Sequence, residues 1–126
     1  MELAEEAESY IRGAGRFEPY FGHLEKATEA AANGAHVAVF LHYTGAIEIA
    51  RAAYRNVDRA ALIYLAVNYA KQLKKQDDRE AVANWAENLS SGLNFEKDLI
   101  DKFFRTQPPE MDLANRVRQE IANLRS

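Results

Sequence analysis

A chain of 126 residues, 48% apolar and 28% charged, has the size and composition of one globular domain and is not that of a disordered chain. Its net charge of −3 lacks the basic excess that phosphate-binding surfaces usually carry. The absence of cysteine excludes disulfides, thiolate zinc sites and cysteine nucleophiles, and it fits a reducing, cytoplasmic setting.

The opening MELAEEAESYIRGAG has neither a basic n-region nor a continuous apolar run, so it does not read as a signal peptide. Leu3, Ala7, Tyr10 and Ile11 share one face of a short amphipathic helix, which Gly13 and Gly15 end. Pro19 suits the first turn of a second helix, where its missing N–H costs nothing. That helix runs to about Asn33, and Gly34 stands where a left-handed residue closes a helix.

A third helix is expected over residues 35–55. Val39, Phe40, Tyr43, Ala46, Ile47, Ala50 and Tyr54 lie on one side, with Val37, Leu41 and Ile49 elsewhere around the axis. A helix apolar on several sides is normally central in a bundle. His36, His42, Thr44, Glu48 and Arg51 interrupt the run, so it reads as a buried helix and not as a membrane span, which needs about 20 mostly apolar residues.

Asn56 or Asp58 can cap a fourth helix, with Leu62, Leu65, Ala66, Tyr69 and Leu73 inward and Tyr64, Asn68, Lys71 and Lys75 outward. Asp77 and Glu80 resemble a capping box that opens a fifth, with Val82, Trp85 and Leu89 as its stripe and Gly92 as its end. Asn94 caps a sixth, carrying Phe95, Leu99, Ile100 and Phe103, which Pro108 and Pro109 stop. Leu113, Val117, Ile121 and Leu124 form a narrow stripe on the last. No segment alternates with the period of a strand. The fold class expected is all-α: a compact bundle of about six or seven helices, packed as helical hairpins in one domain over 1–126.

Chemistry is sparsely signalled. His36 and His42 are six apart and face different ways, and His23 belongs to another helix, so no metal site and no cofactor are expected. Phosphate-loop and nucleophile-elbow motifs are absent. The clearest local conflict is polar. Thr44, Glu48, Arg51 and Arg55 fall within about 60° of one another on the otherwise apolar third helix, and Arg59 continues the series. Glu48, Arg51, Arg55, Arg59 and the outward Tyr64 are the candidate binding residues; Leu113, Val117, Ile121 and Leu124 are the candidate interface.

Two patterns resemble known families. Leu65-Ala66-x-x-Tyr69 followed by Ala81-x-x-x-Trp85 looks like the knob-and-hole pattern of tetratricopeptide repeats, as does Gly34-x-His36 with Val39, Tyr43, Ala46 and Ile47. The two matches are 42 residues apart, against a repeat of about 34. The segment from His23 to Tyr54 resembles the paired helices of HEPN domains, some of which are ribonucleases. The family's arginine-to-histidine signature has its nearest counterpart in Arg16 and His23, with Pro19 and Gly22 between them.

The resulting expectation is a non-catalytic helical interaction or scaffold module, partnered by a protein or by itself as a homo-oligomer. The alternatives are a nucleic-acid-associated helical protein, using Arg51, Arg55 and Arg59 with Lys71, Lys74 and Lys75, and a small-molecule-binding bundle built around His42, Tyr43 and Glu48. No membrane association is expected.

Overall fold

The computed structural model describes residues 3–13, 17–90 and 113–126. These form an all-α bundle. Its helices are α1 (Leu3–Arg12), α2 (Phe21–Ala32), α3 (His36–Ala52), α4 (Asn56–Ala70), α5 (Gln76–Leu89) and α6 (Leu113–Arg125). No strand occurs among the described residues, and no helix there is long and apolar enough to cross a membrane. The expected sixth helix, with Asn94, Phe95, Leu99, Ile100 and Phe103, lies outside the described residues, as do Gly15, Arg16 and Gly92.

The most buried helix is α4 and not α3. Eleven residues of α4 are buried, including Asp58, Arg59 and Tyr64, against four of α3. α1, α3, α5 and α6 all pack on α4, while α2 pairs with α3 as a hairpin. Composition misled here because α3 is also apolar all round, yet Val37 and Leu41 are 75% and 65% exposed. Tyr64, expected on an outward polar face, is buried for the same reason: α4 has packing partners on several sides.

Two helix ends share one pattern. After α2, Gly34 takes a φ of 69°, Ala35 N–H donates to the Ala30 carbonyl (2.9 Å) and Gly34 N–H to that of Ala31 (3.1 Å). This is a Schellman closure with glycine at the left-handed position. The same closure ends α3 three residues short of the expected boundary. Arg55 N–H donates to the Ala50 carbonyl and Tyr54 N–H to that of Arg51, and Tyr54 takes a φ of 57°. Tyr54 therefore leaves the helix and stands 89% exposed instead of joining the core stripe.

Three capping expectations are corrected. Asn56 is the first residue of α4, Asp58 sits inside its first turn, and the position before the helix is Arg55. α5 opens after Lys75, so Asp77 lies in its first turn. Pro19 lies in a 3-10 turn, Glu18–Tyr20, that precedes α2.

Candidate functional site

The charged stripe of α3 is partnered within the chain. Arg51 Nε donates to Glu48 Oε2 at 3.1 Å, an exposed i, i+3 pair. Arg55 turns away from it: Arg55 Nε donates to Asp58 Oδ2 at 2.5 Å, and its guanidinium stacks over Phe17 with Cζ 4.5 Å from the ring centroid. Tyr20 donates its hydroxyl to the same Asp58 oxygen. Asp58 is only 2% exposed, so this buried carboxylate ties the 3-10 turn to the start of α4. Burial, reinforced by the Asp58 hydrogen bond, raises the pKa of Tyr20 well above its usual range. Burial and Asp58 also raise that of Tyr10.

Arg59, expected to extend an exposed series, is buried instead. Its Nε and Nη2 donate to the Leu89 carbonyl at 3.1 and 2.7 Å. The last carbonyls of a helix have no partner within it, so Arg59 closes the C-terminus of α5 from the neighbouring helix. Burial lowers its pKa and nearby Arg51 adds to the effect, while Glu48 opposes it. Arg51, Arg55 and Arg59 thus do not form a continuous exposed cationic strip.

The terminal stripe is also internal. Val117, Ile121 and Leu124 are buried against the chain's own body, where α6 packs on α4 and α5, so they do not form a free interface. The side chain of Leu113 lies outside the described residues. Sequence reading missed what locks this helix down. Glu120 is buried and pairs with Lys71 Nζ at 2.6 Å, Arg125 Nη2 reaches Asn84 Oδ1 at 2.7 Å and Glu87 Oε2 at 3.0 Å, and Gln76 Nε2 donates to the Arg125 carbonyl at 3.0 Å.

One concave feature among the described residues is announced by no single helix. α3 and α5 both rest on α4, and a groove of about 570 Å³ opens between them. Phe40, Leu73, Val82 and Trp85 supply its apolar lining, with Val37 and Leu41 along the exposed α3 side and His36 and Asp78 at one end. Aromatic contacts fix the lining. Phe40 meets Tyr69 and Trp85 edge-on, each with centroids 5.6 Å apart. Trp85 Nε1 donates to Thr44 Oγ1 at 2.8 Å, and Thr44 in turn donates to the Phe40 carbonyl at 2.7 Å. His36 Nδ1 lies 2.6 Å from the Tyr69 hydroxyl, whose pKa burial raises. Thr44, Trp85, His36 and Tyr69 thus engage one another or the backbone, while most of the remaining lining is apolar. Thr44 was visible in sequence as part of the polar stripe; its bond to Trp85, 41 residues away, was not.

Tyr43 lies between α1 and α4. Burial, with Glu8 adding and Arg12 opposing, pushes its pKa up to about 12. Among the described residues no three His, Asp or Glu side chains gather into a potential metal-ligand cluster. No family model, no curated protein and no solved structure matches this chain, so the tetratricopeptide and HEPN resemblances rest on the residues quoted for them alone.

Proposed function

We propose that the chain is a non-catalytic helical interaction module that associates with a second copy of itself through the α3/α5 groove. The observation that carries this reading is the exposure of Val37 and Leu41 beside an apolar trough. Burying an aliphatic side chain contributes about 1.5–3 kcal/mol, and one turn of α3 leaves two of them in water. They sit at i, i+4, so they form a ridge along one helix. Ridge and trough lie side by side, which suits a two-fold contact: the same patch on each copy offers both a projection and a recess. Trp85, at the trough, is the residue type that most often anchors such contacts.

Sedimentation equilibrium at micromolar concentration tests it. The unaltered chain should run at twice its 14.2 kDa mass, and Leu41→Asp at the mass of one chain with unchanged helicity. A single-chain mass for the unaltered protein overturns the reading, and an unaltered protein that binds a different helical protein through Leu41 replaces self-association with a heterologous contact.

A further inference from the structure

We propose that His23 and His42 together form a two-histidine site for a divalent transition ion of the zinc, nickel or copper class. His23 is on α2 and His42 on α3, and the hairpin brings their ring centroids to 6.0 Å with 40° between the planes. An imidazole nitrogen binds such an ion at about 2.0–2.1 Å, which places ring centroids sharing one ion about 5 Å apart at a tetrahedral angle and about 6.5 Å apart when the two rings lie opposite each other. The observed spacing falls in that window.

Two further observations point to a ligand. His23 Nδ1 is buried and has no hydrogen-bond partner among the described residues. A buried polar atom without a partner is destabilising, and a metal ion is one way to satisfy it. The backbone also leaves room for this ring at Gly45. A Cβ there would stand 2.7 Å from His23 Cε1 and 2.9 Å from each ring nitrogen, so any other residue at this position would displace the imidazole. Gly45 lies one turn beyond His42, so the glycine that admits one ring is adjacent to the other.

The site is separate from the groove: at 100° per residue, His42 lies about 160° around α3 from Thr44. With two protein ligands, the remaining coordination positions fall to water or to a small exchangeable ligand. Neutral imidazole selects zinc, nickel and copper over magnesium and calcium.

The test is thermal unfolding of the full chain at pH 8, where imidazole is neutral, with ZnCl2 or NiCl2 and with MgCl2 as a control. A saturating ion that binds only the folded state should raise the midpoint by about 4 °C or more, reversibly with EDTA. His42→Ala should abolish the rise, whereas His36→Ala, whose ring is engaged with Tyr69, should keep it. Because a change at His23 can also loosen the α2–α3 contact, ring-nitrogen NMR of the unaltered protein supplies a second reading. The His23 and His42 signals should move on zinc addition and those of His36 should not. No rise up to millimolar ion, a rise that survives His42→Ala, or movement of the His36 signals alone overturns the proposal.

Discussion

α3 and α4 follow one another through a single turn, have similar lengths and are both rich in apolar residues, yet they sit in opposite situations. α4 has neighbours on several sides and buries even Asp58 and Arg59, while α3 leaves Val37 and Leu41 in solvent. The difference lies in what each polar residue finds. Asp58 meets Tyr20 and Arg55, and Arg59 meets a helix-end carbonyl, so α4 can be surrounded without leaving charges uncompensated. The polar residues of α3 pair along their own helix or reach one neighbour, and its remaining apolar side stays open.

Substitutions can break this contrast, and the largest effect belongs to the core of α4. Leu62→Ala should lower the unfolding free energy by about 2–5 kcal/mol in denaturant titration, because it empties a fully buried position. Asp58→Ala should cost about 2–3 kcal/mol, since it leaves the Tyr20 hydroxyl and the Arg55 guanidinium without their shared acceptor. A loss below 0.5 kcal/mol would mean that the buried carboxylate does not hold the 3-10 turn on α4.

High pH probes the α1 side of α4. The Tyr43 pKa is higher in the folded chain than the ordinary value of 10, so the folded state holds its proton more tightly. Stability should therefore be full below pH 10 and fall as pH rises toward 12, by about 2 kcal/mol. Tyr43→Phe should flatten part of that fall in melts recorded between pH 9 and 12. Equal slopes for the two proteins would show that Tyr43 does not hold its proton more tightly when folded.

The connecting turn sharpens the contrast further. A non-glycine residue in the left-handed region costs about 1–2 kcal/mol, and the exposed ring of Tyr54 recovers little of it by packing. Tyr54→Gly should raise the unfolding free energy by about 1 kcal/mol, whereas Gly34→Ala, at the matching position after α2, should lower it by a similar amount. The smallest effect should be Leu41→Ser, within about 0.5 kcal/mol for the isolated chain, since its side chain already meets water.

Much of the fold was readable. Apolar spacing marks the helices of α1 to α5 and α6, and Gly34 marks its turn because glycine is the residue that a left-handed position favours. The Tyr54 turn was not readable, since a tyrosine there looks like one more aromatic on a helical stripe. The rank of α3 and α4 was not readable either: apolar content says that a helix can be buried and not how many neighbours reach it. Within the site, Glu48 and Arg51 are an i, i+3 pair and so visible in one dimension. The Thr44–Trp85 bond, the Arg59–Leu89 cap and the His23–His42 approach join separate helices and arise only once those helices pack.

The placement of α6 has a consequence for how the chain acquires its structure during synthesis. Val117, Ile121 and Leu124 cover parts of α4 and α5 that were made earlier. Until residue 124 has left the ribosome, that surface lacks these three side chains, and Lys71 has no Glu120 to meet. The nascent chain therefore completes this flank last, after α5 is already made, and chaperone binding and misassociation compete with completion of the bundle in that window.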